Sequence, residues 1–217
     1  GKPLGDAALD QLFRAARTRR GWTDEETPEV LIRATYDLAK IAPTASNISP
    51  GRFLFVRSKE AKARLEPHLD EGNRKQTMAA PFTAIVAYDL AFADHLGKLI
   101  PHAPTAKEWF ADPANAEWNA IQSGTLMGAY LLIAARSLGL DCGPMNGFRR
   151  DGVDNEFFAS DPIMKSWRSN FLVNLGHGDD TRLRPRAPLK RAGRLDDLQK
   201  PISRASSPGS GQPISRA

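Results

Sequence analysis

The sequence predicts a globular protein that mixes helices with buried β-strands, and three observations carry this. Runs rich in β-branched, aromatic and other apolar residues recur at 53–56, 83–88 and 171–176. Between them lie segments with apolar residues at helical spacing, clearest at 6–19 and 115–138. The composition, 41% hydrophobic and 25% charged over 217 residues, suits a soluble chain of one large domain or two small ones.

The first predicted helix, 6–19, is capped by Asp6 and turns Leu9, Leu12, Phe13 and Ala16 to one side. It runs into Arg17-Thr18-Arg19-Arg20-Gly21-Trp22, where the arginines complement a helix C-terminus or clamp a phosphate. A second helix starts at Thr27-Pro28, buries Leu31, Ala34, Leu38 and Ile41, and stops at Pro43. The loop 43–52 is dense in hydroxyls, an amide and prolines, which suits a turn or a ligand-binding loop. Ser58 caps a charged helix, Glu71-Gly72-Asn73 reads as a turn, and 76–80 as a short helix broken by Pro81. Residues 89–114 lack a pattern and suit a lid or a set of short helices. The helix at 115–138, with small residues Gly124, Gly128 and Ala129, reads as buried nearly all round. A Gly/Pro turn at 142–148 follows, then a short helix at 151–158.

Composition narrows the function classes. The net charge of +5 suits a phosphorylated ligand or an anionic membrane better than nucleic acid, since no basic face with interleaved aromatics occurs. The single cysteine, Cys142, excludes an internal disulfide and a cysteine-based zinc cluster, and four scattered histidines show no ligand spacing. The longest apolar run, 126–135, falls short of the roughly 20 residues that a membrane helix needs. No apolar signal core opens the chain, and a cytoplasmic location is expected. Residues 201–217 carry Pro-Ile-Ser-Arg-Ala twice around a Ser/Gly/Pro spacer. They are expected to be a flexible tail, with a non-native origin left open.

Four elements could meet at one ligand: the arginines at 17–20, the Ser/Asn loop, the Gly/Pro turn and Arg184-Pro185-Arg186. Two arginine clusters suit a terminal phosphate, and a Gly/Pro turn can lie against a flat ring. Neither a GxGxxG turn nor a GxxxxGK[ST] loop is present. The residues alone point to a phosphorylated planar ligand.

These motifs, in this order, resemble the nitroreductase superfamily of FMN-dependent oxidoreductases over about residues 8–190. Arg17-Thr18-Arg19-Arg20-Gly21-Trp22 is similar to its Arg-Ser-x-Arg-x-aromatic pattern, and residues 43–50 to Pro-Ser-Ser-x-Asn-x-Gln-Pro. Residues 143–148 are similar to its Pro-hydrophobic-x-Gly-Phe turn, and residues 184–186 to a late basic-x-Arg pair. The phrases at 21–22, 71–73, 80–87, 138–145 and 176–179 look like the malonic semialdehyde reductase (3-hydroxypropionate dehydrogenase) branch. Three positions depart from the pattern: Ser49 for Gln, Gly51 for Trp, and Asn146 where some members carry Glu.

The resemblance implies an α+β fold with a mostly antiparallel sheet wrapped by helices, in an intertwined homodimer. It implies one FMN-binding domain over residues 1–200, with FMN at the subunit interface. Helix 115–138 would sit in the dimer core, with 182–200 ordered by the partner. By position, Arg17, Thr18 and Arg19 would contact the phosphate, ribityl chain or pyrimidine edge of FMN. Ser46 and Asn47 would line the ring from the partner subunit, and Asn73 would bond the pyrimidine edge. Pro144, Met145, Asn146 and Gly147 would pack on one ring face, with a backbone N–H at flavin N5. Arg184 and Arg186 would close on the phosphate. The implied activity is ping-pong hydride transfer from NADH or NADPH to a malonic semialdehyde-like aldehyde, quinone or nitro compound. No side-chain catalyst or metal is expected, and Cys142 and His177 are read as structural. The alternatives are an FMN-binding protein of flavin sequestration or fragmentation, and a basic nucleic-acid-binding protein using the arginines of 182–194.

Overall fold

The computed structural model describes residues 1–181, 183 and 184 of the chain. It divides into two units, Gly1–Leu183 and Arg184–Ala217. The expected tail at 201–217, the domain limit at 200 and Arg186 lie outside the described residues. In chain order the regular elements are α1 (Asp6–Leu9), α2 (Glu29–Ala39), β1 (Gly51–Val56), α3 (Lys59–Leu65), α4 (Glu71–Ala79), β2 (Phe82–Asp89), α5 (Leu96–Leu99), α6 (Pro113–Ser137), β3 (Asp141–Met145), α7 (Arg150–Phe157) and β4 (Trp167–Gly176).

The four strands form one sheet in the order β1-β2-β4-β3, every pair antiparallel. This is the α+β architecture that the resemblance implied. Side chains alternate across a strand, so each face builds its own core. Phe82, Ala84, Val86, Val173, Leu175 and Cys142 pack with Ile32 and Ala39 of α2 and with Leu131, Ala134 and Ala135 of α6. On the other face Val56, Ile85, Ala87 and Leu172 pack with Leu65 of α3 and Val153 and Phe157 of α7. β2 is buried at every position, as its apolar run predicts.

α6 begins where Asp112 Oδ2 accepts from the Asn115 N–H at 2.8 Å, with Pro113 at the first helical position. It ends at Gly139, whose φ of +84° suits a left-handed stop. Its glycines serve the sheet of the same chain. A Cβ on Gly128 would lie 2.5 Å from Phe171 Cζ and 2.9 Å from Val86 Cγ1. Trp118, Leu126 and Tyr130 form an exposed apolar stripe, so α6 is not buried all round within one chain.

Several local expectations change. The first helix continues α1 only through a π-turn at Asp10–Arg14, and residues 17–19 lie beyond it. Arg17 still serves that helix end, since its Nη1 donates to the carbonyl of Arg14, the last residue of the π-turn. α2 buries Ile32, Thr35 and Ala39, while Leu38 and Ile41 are exposed. The apolar residues outnumber what one face can hold, so spacing alone picks the wrong stripe. Glu71-Gly72-Asn73 is the first turn of α4 rather than a turn outside it. Residues 141–145 of the Gly/Pro segment form the edge strand β3, where a proline without an N–H is tolerated. Residues 90–112 hold short helical turns, and Phe92, Leu96, Ile100 and Ala106 anchor them under Tyr88 and Ala120.

Gly128→Val should lower the unfolding free energy by about 1–3 kcal/mol through overpacking between α6 and the sheet. Gly97→Ala, where a Cβ meets nothing within 4 Å, should be close to neutral. Urea denaturation of both variants checks this. A Gly128→Val midpoint equal to the parent's would contradict the close helix–sheet contact.

Candidate functional site

The edge of β3 is where segment 17–22 and α4 meet the Gly/Pro segment. Thr18 bridges Cys142 in parallel, and the Arg19 N–H donates to the Cys142 carbonyl at 2.9 Å. Trp22 bridges Gly178, and its Nε1 donates to the Gln76 carbonyl at 2.9 Å. Segment 17–22 is therefore laid along β3 and tied to α4. From α4, Asn73 Nδ2 donates to the Gly147 carbonyl at 2.9 Å, and the Asp70 N–H donates to the same oxygen at 3.0 Å.

An added side chain would collide at two glycines here. A Cβ on Gly147 would lie 2.3 Å from Asn73 Nδ2, and one on Gly143 would lie 2.7 Å from the Arg19 carbonyl. At Gly143 the obstacle is backbone, so glycine is a steric requirement there, whereas at Gly147 the side chains of Asn73 and Asp70 would have to move. Neither the Asn146 nor the Gly147 N–H has an acceptor among the described residues.

Gln76 is a site residue that sequence reasoning missed. It is 5% exposed, its Nε2 donates to Asn73 Oδ1 at 2.8 Å, and its Oε1 has no partner among the described residues. A buried acceptor left bare costs about 1–3 kcal/mol. The sequence signal available was its place three residues after Asn73 on α4, on the same helix face. The FMN implied by the sequence motifs has a pyrimidine edge with an N–H donor and ring atoms that accept. One orphaned acceptor and two unclaimed N–H groups fit that group.

The expected phosphate ligands divide. Arg17 is partly buried, and its Nη1 donates to the carbonyls of Arg14 at 3.0 Å and Ala16 at 2.9 Å, with no carboxylate partner among the described residues. Thr18 is exposed beside it. Arg19 is engaged within the chain, pairing with Asp141 at 2.9 Å and with Asp180. Burial opposes the Arg19 charge, but the hydrogen bonds to Asp180 and Asp141 outweigh it and its pKa is raised. Arg184 is exposed and opens the second unit.

Ser46 and Asn47 lie just before β1, and β1 and β3 are opposite edges of the sheet. One chain thus does not bring them to 143–147. Asn47 Nδ2 donates to the Leu99 carbonyl at 3.0 Å. Ser46, Asn47 and Ser49 have φ of 46°, 56° and 42°. Three left-handed non-glycine residues in one loop store strain of the kind found at functional sites.

A buried lysine, also missed by the sequence reading, lies beneath the site. Lys62 is 3% exposed, and its Nζ donates to the Thr77 carbonyl at 2.8 Å and to Thr83 Oγ1 at 2.5 Å. Burial lowers its pKa to about 7. Cys142 is buried and its thiol is pushed up to about 12 by desolvation, as befits an inert core residue. His177 Nε2 lies 3.6 Å from Glu25 Oε1. No helix of the described residues is long and apolar enough to cross a membrane.

A model of the nitroreductase family matches residues 3–177. The chain belongs to the nitroreductase family. A relative of this nitroreductase-family chain in Burkholderia lata carries the provisional name NADH dehydrogenase/NAD(P)H nitroreductase. It is 54% identical over 186 residues, covering 85% of this chain and 93% of the relative. A relative of the same name in Caulobacter sp. is 50% identical over 185 residues, covering 85% and 93%. Among solved structures, a nitroreductase family protein from Streptococcus pneumoniae superposes with a TM-score of 0.72 at 20% identity, covering 82% of this chain and 94% of that one. A provisionally named nitroreductase from Exiguobacterium sibiricum, solved in complex with FMN, gives a TM-score of 0.72 at 20% identity, covering 87% and 95%. At that identity the structural likeness speaks for the fold.

Lys62 sets a testable pH dependence. Its folded pKa of about 7 lies below the unfolded lysine value of roughly 10.4. Between the two, the unfolded chain holds a proton that the folded chain lacks, so stability should rise with pH through this window and be lowest below it. Cys142 acts in the opposite sense above about pH 8.5. The difference in urea stability between the parent and Lys62→Met isolates the lysine. That difference should favour the methionine variant at neutral pH and shrink toward pH 10; a pH-independent difference would contradict the buried, unpaired amine.

Proposed function

We propose that this protein is an FMN-dependent NAD(P)H oxidoreductase that passes hydride to a small oxidised substrate. The observation that carries the reading is the set of unclaimed polar atoms at the β3 edge, Gln76 Oε1 and the N–H groups of Asn146 and Gly147. The relatives' names support NAD(P)H as reductant, and the FMN held by the Exiguobacterium protein supports the cofactor.

FMN, when bound, supplies the atom, N5, that accepts and then donates hydride. Residues 144–147 offer backbone rather than side chains to the ring, and the N–H groups of Asn146 and Gly147 are free to stabilise charge at its edge. Gln76 accepts from a ring N–H, and Asn73 holds the 146–148 loop in place through the Gly147 carbonyl. Arg17 and Thr18 hold the phosphate or ribityl end, while Arg19 fixes their segment to β3 through Asp141. Arg184 and Arg186 are the proposed late phosphate contacts, in a domain running to residue 200. NAD(P)H and the oxidised substrate take turns at one site, which makes the kinetics ping-pong. No residue here must act as a side-chain nucleophile. The substrate classes proposed are malonic semialdehyde-like aldehydes, quinones and nitro compounds, the first resting on the branch phrases in the sequence.

A homodimer completes the site. Ser46 and Asn47 sit at the far sheet edge of their own chain, so they reach a 143–147 segment only across two copies. The exposed stripe of Trp118, Leu126 and Tyr130 on α6 offers the apolar surface for such an interface.

The purified protein should show a flavin spectrum, directly or after reconstitution, that bleaches with anaerobic NADH or NADPH. A colourless protein that cannot be reconstituted contradicts the reading, and FMN binding without bleaching favours flavin storage or fragmentation. Gln76→Leu should weaken FMN binding about tenfold, the worth of roughly one hydrogen bond. Arg17→Ala should also weaken retention. Fluorescence titration of apoprotein measures both, and unchanged affinity in both would remove these residues from the site.

A further inference from the structure

The core under β3 contains a polar row that the proposed reaction leaves unused. Lys62 of α3 donates to Thr83 Oγ1 of β2, and Thr83 Oγ1 donates to Asn174 Oδ1 of β4 at 2.7 Å. Asn174 Nδ2 donates to Thr77 Oγ1 of α4 at 3.2 Å, and Thr77 Oγ1 donates to Met145 Sδ of β3 at 3.4 Å. Each link points its hydrogen away from Lys62 and toward β3. The register places Thr83, Asn174 and Gly143 directly across from one another on three strands. The row therefore crosses the sheet from the lysine to the strand that forms the cofactor floor.

The charge in this row is unbalanced. Thr77, Thr83 and Asn174, the groups that face Lys62 from α4, β2 and β4, cannot titrate. The charged residues of α3 itself, Lys59, Glu60 and Arg64, are exposed. Among the described residues Lys62 has no ion pair, although Arg52, which is also partly buried, is matched by Asp89 at 2.8 Å. Burying an ammonium group without a carboxylate is costly, and an apolar residue of similar length would fill the space at lower cost. The Thr77 carbonyl near the C-terminus of α4 favours the charged form, but only in part.

Resting on the FMN reading above, we propose that Lys62 is the charge-compensating residue of the flavin site, placed behind β3 and coupled to it through Thr83, Asn174, Thr77 and Met145. In the reductive half-reaction the nicotinamide C4–H bond breaks with its electron pair and an N5–H bond forms. The nicotinamide leaves as a cation and the flavin ring gains one negative charge. Lys62, where neutral beforehand, takes one proton from solvent, so the added charge is matched inside the core. The low folded pKa lets this uptake occur near neutral pH. A fixed or acquired cation close to the ring favours its reduced form and raises its midpoint potential.

The test uses the full-length chain loaded with FMN. FMN content is read first from the visible spectrum, and the midpoint potential is then measured by anaerobic dye equilibration across neutral pH. Lys62→Met should retain FMN, shift the potential to a more negative value and flatten its dependence on pH. Thr83→Val, which keeps the lysine but removes its hydroxyl partner and the first link, should shift the potential the same way by less. Equal potentials and equal pH slopes in FMN-loaded parent and variants overturn the inference while leaving the FMN reading intact. If Lys62→Met does not fold, Thr83→Val decides alone, and an unshifted potential overturns the inference. A parent chain that takes up no FMN overturns the FMN reading and this inference together.

Discussion

The close approach of segment 17–22 and α4 to the β3 edge is the constraint on which the candidate site depends. Gly143 admits the 17–22 segment, and Gly147 admits α4 through Asp70 and Asn73. A side chain at Gly143 would collide with the Arg19 carbonyl, and one at Gly147 would displace the Asn73 amide. With them in contact, hydrogen bonds from Arg19, Asp70, Asn73 and Trp22 close the assembly. Among those left unpaired are Gln76 Oε1 and the N–H groups of 146–147, and Asn73 links the two by bonding both Gln76 and Gly147. A preorganised edge of this kind spends no binding energy on reorganisation when a ring arrives.

The sheet places chemistry on one side and bulk on the other. One face is sealed by α2 and α6 over an apolar cluster, and β2 is its centre. The opposite face interrupts its apolar core with Lys62, Thr83, Asn174 and Thr77. Polar groups in a core are tolerable when hydrogen-bonded, and these form a connected chain. The one feature not explained by satisfaction is the amine at its end, which the chain links to Met145 of β3.

The strands at 53–56, 83–88 and 171–176 and the helix near 115–138 were legible because their apolar patterns are long or dense. β3 was not, because Gly143 and Pro144 carry turn chemistry and only pairing with β4 makes them a strand. α2 misled because Leu38 and Ile41 are apolar yet exposed, so composition does not mark the buried side. Segment 17–22 and Asn73 meet residues 142–147 along β3, while the Ser/Asn loop lies at the opposite sheet edge of the same chain. Gln76 and Lys62 were illegible because an amide and an amine on short, charged helices ordinarily face water. Only the packing of α3 and α4 against the sheet turns them inward.

The proposed site turns on a flat ring meeting backbone N–H groups at 146–147 and the Gln76 amide. The most direct measurement is the change in the amide resonances of 15N-labelled apoprotein on adding FMN. The backbone signals of Asn146 and Gly147 and the side-chain signal of Gln76 are predicted to move most, with Thr18 among the next. FMN binding that leaves these signals in place would contradict that arrangement.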